Sequence, residues 1–346
     1  MEPALGLTVT IVVLALIFDF VNGFHDAANS VATIVATRVL TPFQAVAWAA
    51  WWNFIAALPL LLWHEAGVAK TVGAGMVNLS LVTPPVVLSG LIGAIGWDLL
   101  TWYYGLPTSS SHALVGGYAG AAVARAYWEV GSAGVASALI PHGWVRTLLF
   151  IFVAPILGMV LATLLMTTVF WLFRDARPRR MDYWFRKLQL VSAAMFSYSH
   201  GANDAQKTMG IIASALVAGG FLEEFRVDAW VVLAAHAAIA LGTLAGGWRI
   251  VYTMGRALTR LRPYGGFCAE TAGAVAILFP TYLKVPVSTT HVITGAIAGV
   301  GAARRPRAVR WNVASNIIWA WILTIPASAL IAATSYFLLR ISIGLK

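Results

Sequence analysis

The sequence predicts an all-α integral membrane protein built as an inverted-topology repeat. Each half is expected to have three spanning helices, some of them broken, plus a re-entrant helical hairpin. Hydrophobic residues make up 60% of the 346 residues and charged residues only 10%, with a mean hydropathy of +0.80. A water-exposed surface needs far more polar side chains than this. Two short motifs also occur twice in the same order, which indicates a duplicated structural unit.

The repeated motifs locate the two halves. The stretch NGFHDAANS at 22–30 returns as HGANDAQKT at 200–208, an offset of 178 positions. The stretch PTSSSH at 107–112 returns as PVSTTH at 286–291, an offset of 179 positions. Each half therefore carries an acidic-amide element and then a proline, hydroxyl and histidine element. Polar residues at matching places in two apolar halves are typical of transporters.

Long apolar segments predict the spanning helices, because about 20 residues cross a bilayer as a helix. The N-terminal segment has Glu2 where a signal peptide would carry Lys or Arg, so we interpret it as a retained helix. The chain divides into a first repeat at 1–173, a basic linker at 174–187 and a second repeat at 188–346. The predicted spans are 7–37, 43–63 and 147–173 in the first repeat, and 188–217, 229–248 and 311–339 in the second.

Two further pairs of apolar segments are predicted to form re-entrant hairpins, at 83–127 and 265–303. The two limbs meet at Gly-Leu-Pro 105–107 in the first hairpin and at Lys-Val-Pro 284–286 in the second. Each connection has only three residues before a hydroxyl cluster begins, which is too short for a typical external loop. Irregular backbone at membrane depth is tolerated where it lines a cavity inside the protein. Two full spans in place of each hairpin are the alternative.

The distribution of charge predicts the orientation. Fourteen of the 23 Lys and Arg residues fall in three short connections, at 174–187, 249–262 and 304–310. Such enrichment in short loops marks the cytoplasmic side of a membrane protein, so the net charge of +10 gives no reason to expect nucleic acid as a partner. The segments predicted to face outward are 64–82, 128–146 and the net acidic connection around Glu223.

An odd number of spans per half has a topological consequence. The two halves must enter the membrane upside down relative to each other, which is an inverted-topology repeat with its binding site near the midplane. Both termini are then expected outside the cell, and the linker 174–187 joins the halves inside. The lone Cys268 excludes an internal disulfide, and no cofactor motif or nucleotide-binding phosphate loop occurs in the sequence.

Ionisable residues inside apolar segments are expensive to bury and are usually functional. Asp26 and Asp204 occupy equivalent repeat positions, each three residues after a glycine in a pair, Asn22-Gly23 or His200-Gly201, that favours a helix break. We expect these aspartates to handle a coupling cation or proton, although each could also satisfy a neighbouring amide or hydroxyl. Without duplicates, function and structure remain equally open for Asp19, Asp98 and Glu270.

The residue three positions after each aspartate shares its helix face, and here the repeats differ. An Asp26 and Asn29 face can supply oxygen ligands to a small cation, whereas an Asp204 and Lys207 face places a tethered ammonium there. The ammonium can contact an anion, or it can simply neutralise its own aspartate.

The hydroxyl runs at 109–111 and 288–290 lie at the proposed hairpin tips. Hydroxyls and free backbone N–H groups at helix N-termini form an uncharged cradle for a tetrahedral oxyanion. The same residues could cap the following helices, and both roles are compatible. His112 and His291 could carry a proton, orient a hydroxyl or be neutral packed rings. An intramembrane hydrolase with a nucleophilic serine is the enzyme alternative, but nucleophilic catalysis needs one activated nucleophile rather than two symmetric ones.

The motifs also resemble a known family. The stretches FDFVNGFHDAAN at 18–29 and SHGANDAQKTMG at 199–210 resemble the duplicated signatures of the inorganic phosphate transporter (PiT) family, and 107–116 and 286–295 match as well. The resemblance covers essentially the whole chain. It implies inward transport of inorganic phosphate across the plasma (inner) membrane, coupled to a cation gradient, usually by a homodimer. It also implies that the acidic-amide elements and hairpin tips bind the ions and the phosphate.

One departure bears on the coupling ion. Lys207 stands where members with the acidic-amide motif in both halves have Asn, and this version is similar to the bacterial low-affinity branch. That branch is associated with proton coupling and with uptake of neutral metal-phosphate complexes, so the resemblance favours H⁺ over Na⁺ and leaves a co-transported divalent metal open.

The sequence thus predicts a secondary phosphate importer with alternating access, with a sulfate importer or a passive anion channel as the alternatives. The expected substrate-binding residues are Asn29, Ser109, Ser110, Ser111, Lys207, Ser288, Thr289 and Thr290, and the expected coupling residues are Asp26, Asp204, Asn22, Asn203, His112 and His291.

Overall fold

The structure is a computed structural model that describes residues 2–63 and 66–343. Helices account for nearly all of this part of the chain, and the only bridge of β type within it joins Val77 to Leu139. The predicted all-α class is therefore confirmed. The helices of the first half are α1 (Glu2–Ala36), α2 (Pro42–Ile55), α3 (Ala57–Trp63), α4 (Gly67–Ala74), α5 (Pro84–Tyr103), α6 (Ser110–Val130), α7 (Ser132–Val135) and α8 (Pro141–Leu172).

The second half has fewer short helices than the first. The chain bends after the helix at Ala229–Ala245. The short helix that follows, at Trp248–Tyr252, passes directly into a π-helical turn at Thr253–Ala257. Short 3₁₀ turns occur at Leu79–Leu81 and Pro306–Ala308. The helices are α9 (Pro178–Ala218), α10 (Ala229–Ala245), α11 (Trp248–Tyr252), α12 (Pro263–Tyr282), α13 (Thr289–Arg304) and α14 (Trp311–Ile343).

Several helices are long and apolar enough to cross a membrane, as expected of a multi-pass protein. Within the described residues five helical stretches meet this test, and α10 with Trp248–Gly255 makes a sixth if the 63° bend between them lies within one span. Helix α9, which carries the buried Asp204 and Lys207, is not among them. The five stretches are Leu5–Ala36, Pro42–Trp63, Pro84–Tyr103, Pro141–Leu172 and Trp311–Ser342.

The expected helix breaks are absent from the two motif helices. Helix α1 runs without interruption through Gly23, and α9 runs through Gly201. Both glycines instead permit close helix packing: a Cβ atom on Gly23 would lie 2.1 Å from the carbonyl oxygen of Ile239 in α10, and one on Gly201 would lie 2.6 Å from that of Asn53 in α2. The expectation was wrong because small residues at membrane helix contacts give the same sequence signal as helix breaks.

The basic linker is also shorter than the sequence suggests. Helix α9 begins at Pro178, a residue suited to the first helical position, so most of 174–187 forms the first turns of that helix. Arg186 binds the carbonyl oxygen of Arg38 through both terminal nitrogens, at 3.0 Å each, and so ties this end of α9 to the end of α1.

The two halves pack by exchanging partners. Helix α1 of the first half packs on α10 of the second, and α9 of the second packs on α2 of the first. Likewise α6 packs on α14, and α13 packs on α8. Glycines at equivalent positions permit both of the latter contacts: a Cβ atom would lie 2.3 Å from Ala329 O on Gly120 and 2.3 Å from Met159 O on Gly299. The halves are therefore interlocked rather than juxtaposed.

The two helical pairs α5–α6 and α12–α13 have matching turns. Gly105 and Lys284, which are equivalent in the repeats, both adopt left-handed backbone conformations, with φ of 66° and 63°. The next residue in each turn donates its N–H back to the preceding helix, from Leu106 to Thr101 O and from Val285 to Pro280 O, each at 2.9 Å. Beyond the turn each chain is buried until the next helix begins, at 107–109 and at 286–288, whereas Lys284 in the second turn is exposed.

Candidate functional site

The two motif helices and the two tips converge on a pair of buried aspartates. Asp26 of α1 is 2% exposed and Asp204 of α9 is fully buried. The hydroxyl of Thr289, the first residue of α13, lies 3.4 Å from Asp26 Oδ2 and 3.5 Å from Asp204 Oδ2. Residues that are far apart in sequence thus meet at one centre, where the repeat equivalence of the two motifs predicts that they should.

Hydroxyls from both tips reach Asp26. Ser110 Oγ, at the start of α6, lies 3.4 Å from Asp26 Oδ1, and Thr290 Oγ1 lies 3.4 Å from Asp26 Oδ2. The amide of Asn29 donates to Thr290 Oγ1 at 2.9 Å and to Thr289 Oγ1 at 3.3 Å. Hydroxyls of both runs therefore lie together beside the acidic-amide element of the first half.

Lys207 links the second motif helix to both tips. Its ammonium is buried and donates to Asp204 Oδ1 at 2.6 Å, to the carbonyl oxygen of Val287 at 2.7 Å and to Ser111 Oγ. These three acceptors use all three N–H donors of a lysine, which offsets the cost of burying its charge. The position that holds an amide in the first repeat, Asn29, thus holds a fixed, paired cation in the second.

His200 brings a nitrogen into the same cluster. Its Nε2 atom lies 3.5 Å from Asp204 Oδ2 and 4.0 Å from Asp26 Oδ2, and its Nδ1 atom lies 3.2 Å from Asn53 Oδ1. One ligand atom from each of Asp26, His200 and Asp204 lies within 4.8 Å of the others, close enough to surround a single cation. Two carboxylates and an imidazole suit a divalent transition metal as well as a proton.

His25 contacts the other oxygen of Asp26. Its Nδ1 atom lies 2.9 Å from Asp26 Oδ1, and its Nε2 atom faces the hydroxyls of Thr101 at 3.1 Å and Thr108 at 3.3 Å. Its repeat counterpart, Asn203, bonds to Thr281 at 2.6 Å. His25 and His200 were missed by sequence reasoning because neither histidine is duplicated; the available signal was their position within the repeated motif.

Several residues predicted for the site have other contacts. Ser109 and Ser288 accept the backbone N–H groups of His112 and His291, at 3.2 and 3.3 Å, and so cap α6 and α13. The two histidine rings lie edge to face, 4.8 Å apart, and His291 stacks on Trp321 at 3.8 Å. These four residues therefore shape the tips, and the two histidine rings pack against each other and against Trp321.

The acidic residues without duplicates lie in different surroundings. Glu270 receives hydrogen bonds from Thr33 at 2.6 Å, Gln189 at 2.9 Å and Ser192 at 2.5 Å, and so joins α1, α9 and α12. Asp98 is buried close to His25 and Asp26, at the edge of the cluster. Asp19 lies about two helical turns before Asp26 in α1, beside Asn22 and Thr208.

The cluster can hold both a cation and an oxyanion. Two carboxylates face one ammonium and two imidazoles, and hydroxyls from both tips surround them. The N-termini of α6 and α13 begin at Ser110 and Thr289, and backbone N–H groups and the helix dipole attract negative charge at such ends. Binding without covalent chemistry is the function that this arrangement favours.

Comparison with known proteins agrees with these features. The model of the phosphate transporter family matches residues 22–332. The protein named "Probable low-affinity inorganic phosphate transporter" of Rhizobium meliloti (strain 1021) is 53% identical over 335 residues, covering 96% of this chain and 97% of its own. The protein of the same name from Bacillus subtilis (strain 168) is 41% identical over 343 residues, covering 98% and 99%.

A solved structure has the same fold. The structure titled "The sodium-dependent phosphate transporter" superposes with a TM-score of 0.85 at 24% identity, over 97% of this chain and 100% of that chain. The relatives are named as membrane transport proteins rather than enzymes, which agrees with a site of paired charges and hydroxyls. On the family match over most of its length, this chain belongs to the phosphate transporter family.

Proposed function

We propose that this chain is a secondary active importer of inorganic phosphate that uses alternating access and a proton gradient. The convergence of hydroxyls from both tips on Asp26 and Asp204, with Lys207 bound to Asp204 and to both tips, carries this proposal. Family membership and the names of the relatives support phosphate as the substrate. A site with no path for covalent chemistry but with donors and acceptors for ions supports transport.

In this proposal the phosphate oxygens bind to the hydroxyl cradle. Ser110, Ser111, Thr289 and Thr290 supply O–H donors, and Asn29 and Lys207 flank them with an amide and an ammonium. Hydroxyls hold an oxyanion less tightly than an arginine fork, which suits a carrier that must release its substrate. Ser109 and Ser288 contribute by fixing the N-termini of the two tip helices.

Asp26 and Asp204 are the proposed coupling groups. A carboxylate that takes up a proton or a cation loses its net charge, so the loaded site is easier to carry through a low-dielectric path. The structurally similar protein is named as sodium-dependent, whereas here Lys207 already pairs with Asp204 at 2.6 Å. We therefore propose that the ammonium occupies the place of a second cation and that protons drive uptake.

The architecture proposed for this mechanism is an inverted repeat with re-entrant hairpins at 83–127 and 265–303. The exchanged packing of the halves, the matching left-handed turns and the buried segments that follow them support it. The basic loops and α9 N-terminus would then face the cytoplasm, with both termini outside and a homodimer in the plasma membrane. Motion of one repeat against the other would expose the central site alternately to the two sides.

Purified protein in liposomes tests the proposal. Phosphate should accumulate against its own gradient when a proton gradient is imposed, and unlabelled internal phosphate should accelerate entry of labelled phosphate. A channel would give neither result. Sulfate should compete weakly, and equal competition would favour the alternative of a sulfate importer.

A neutral metal-phosphate complex is a second candidate for the transported species. The nitrogen of His200 beside two carboxylates, all within 4.8 Å, favours a divalent metal at the site. If the complex is the substrate, chelation of divalent metal should stop uptake and labelled metal should enter together with phosphate. Uptake that is unchanged by a chelator would contradict this candidate while leaving phosphate import intact.

A further inference from the structure

A second polar feature of the molecule is a cavity outside the central site. It has a volume of about 760 Å³ and lies between α4, the start of α8, the connection before α10 and the tip of the α12–α13 hairpin. Four cationic side chains line it, Lys70, Arg146, Arg226 and Lys284, and the described lining residues include no Asp or Glu. We call this cavity the basic vestibule.

The clustering of these cations is unexpected. Each of the three segments predicted to face outward, 64–82, 128–146 and 218–228, contains a single Lys or Arg. All three of these residues, Lys70, Arg146 and Arg226, line the vestibule. The positive-inside bias explains the arginines of the cytoplasmic loops, but it gives no reason for the few outward cations to surround one cavity.

Lys284 adds an independent observation. It adopts a left-handed backbone conformation, with φ of 63°, at the position where the first repeat has Gly105. Glycine takes this conformation without strain and lysine does not. The lysine side chain at this position therefore supplies a contact and a charge that glycine could not supply. Its stem lies against Gly67, where a Cβ atom would be 2.4 Å from Lys284 Cγ, and this contact directs the side chain along the vestibule wall.

The floor of the vestibule is joined to the central site. Thr71 of α4 donates to the carbonyl oxygen of Lys284 at 2.8 Å, and the N–H of Val68 donates to Gln206 Oε1 at 3.1 Å. Gln206 precedes Lys207, and Lys284 lies three residues before Val287, whose carbonyl oxygen accepts from Lys207. Helix α4 and the hairpin tip therefore separate the vestibule from the cradle by a single layer of the protein.

We propose that the basic vestibule collects hydrogenphosphate on the outer side before it enters the central site. This rests on the proposed function, because it assumes phosphate import and the outward orientation of α4. A concave cluster of one sign of charge concentrates counter-ions and accelerates their association, and salt screens the effect. The vestibule selects by charge, and the hydroxyl cradle then selects by tetrahedral geometry. The contribution of Arg226 is weakened by its ion pair, because its Nε atom lies 3.1 Å from Asp228 Oδ1.

The kinetics of charge-neutral variants test this role. In liposomes of zwitterionic lipid under a fixed proton gradient, Lys70→Gln and Arg146→Gln should each raise the KM for external phosphate, about three-fold or more, with kcat unchanged. High salt should raise the KM of the wild type and have less effect on the double variant. Arg340→Gln is the matched control: it removes a cation from the end of α14 that contacts Trp128 and does not line the vestibule.

A charge-restoration experiment removes the ambiguity of misfolding. Lys70→Cys should recover a low KM after reaction with an aminoethyl methanethiosulfonate, which restores a positive charge, and not after reaction with the sulfonatoethyl reagent of similar size. The native Cys268 is buried and leaves this reaction specific. External phosphate should slow modification at this position.

Each outcome has a distinct meaning. Unchanged KM and salt dependence in the variants of an active wild type would overturn the vestibule and leave phosphate import standing. A wild type without phosphate uptake would overturn the proposed function and the vestibule with it. If anionic lipid in the liposomes changes the activity while KM stays the same in all variants, the cations bind lipid phosphate rather than hydrogenphosphate, and the proposal is wrong.

Discussion

At the residue scale, the centre of the molecule is a cluster of buried ionisable groups that contact one another directly. Asp204 has a partner in Lys207 at 2.6 Å, whereas Asp26 has His25 at 2.9 Å and hydroxyls at longer range. The first repeat thus offers groups that can bind or release a proton, and the second offers a fixed cation. The duplication in sequence identified Asp26, Asp204 and the hydroxyl runs, but it could not identify His25 or His200, whose roles depend on residues contributed by other helices.

We expect Asp26→Asn and Asp204→Asn each to abolish gradient-driven phosphate accumulation while the protein still inserts in the membrane. Asn is close in shape to Asp, so the change removes the charge that binds a proton or cation with little change in packing. Asp204→Asn also leaves the buried Lys207 ammonium without its charged partner. Uptake by each variant should be measured at matched protein content. Asp182→Asn, which removes an exposed carboxylate near the start of α9, is the control. Near-normal accumulation by either site variant would contradict the assignment.

Removing Lys207 should destabilise the protein unless Asp204 is changed as well. Lys207→Met leaves a buried carboxylate without its charged partner, a change that costs about 3 kcal/mol or more in comparable pairs. The double variant with Asp204→Asn should recover much of that loss. Thermal unfolding of the wild type, both single variants and the double variant in detergent measures the coupling. Additive effects of the two single changes would show that the pair is not an energetic unit.

At the element scale, the positions of proline and glycine predicted well where several helices begin and end. They predicted poorly whether a helix continues through a glycine. The limbs proposed at 83–104 and 265–283 agree within two residues with α5 and α12, because Pro84 and Pro263 start these helices and a left-handed residue follows their ends. The expected break at Gly23 is instead a close contact with α10. The sequence does not reveal whether a glycine is needed for its backbone freedom or because a neighbouring helix leaves no room for a side chain. The neighbouring helix comes from a distant part of the chain, so its position is known only from the structure.

Two glycines of α1 distinguish these explanations. Gly23→Ala places a Cβ atom 2.1 Å from Ile239 O, so it should destabilise the protein by about 1–3 kcal/mol through overpacking. Gly6→Ala, with no atom within 4 Å of the added Cβ, should be neutral or slightly stabilising. Thermal unfolding of both variants in detergent makes the comparison. Equal stability of the two variants would contradict the packing role of Gly23.

We expect the left-handed turn of the second hairpin to be more stable with glycine than with lysine at position 284. Lys284→Gly adopts the sequence of the first repeat and should stabilise the turn by up to about 1 kcal/mol. The same variant should raise the KM for phosphate, because it removes one cation of the basic vestibule. Gly105→Ala, which introduces the strain in the other turn, should destabilise the protein. A Lys284→Gly protein that is less stable would mean that the lysine stem itself holds the tip in place.

At the scale of the whole molecule, interlocking of the halves places the site at the centre. Each tip helix packs on the last long helix of the opposite half, α6 on α14 and α13 on α8. Four helices from the two halves therefore converge on Asp26 and Asp204. The inverted repeat and the orientation stay predictions from the motifs and the charges, whereas the exchange of packing partners is visible in the three-dimensional contacts alone.

Cysteines placed in opposite connections test the orientation. Ser132→Cys and Glu223→Cys should react with an impermeant reagent added outside the cell, whereas Arg179→Cys and Arg304→Cys should react only after the membrane is opened. These four positions are exposed and avoid the left-handed glycines nearby. Labelling of Arg179→Cys and Arg304→Cys from opposite sides would contradict the re-entrant second hairpin and the inverted repeat.

The coupling of phosphate to protons is the central claim, and uptake under separately imposed gradients tests it most directly. Purified wild type and Lys207→Asn, which gives the second repeat the amide of Asn29, are compared in liposomes with either a proton or a sodium gradient. The Lys207 ammonium lies 2.6 Å from Asp204 Oδ1, and opposite charges at this range attract strongly enough to compete with a bound ion. We expect the wild type to accumulate phosphate with the proton gradient and to be indifferent to sodium, and Lys207→Asn to lose proton-driven uptake. Strong sodium-driven accumulation by the wild type, with none from protons, would contradict the account.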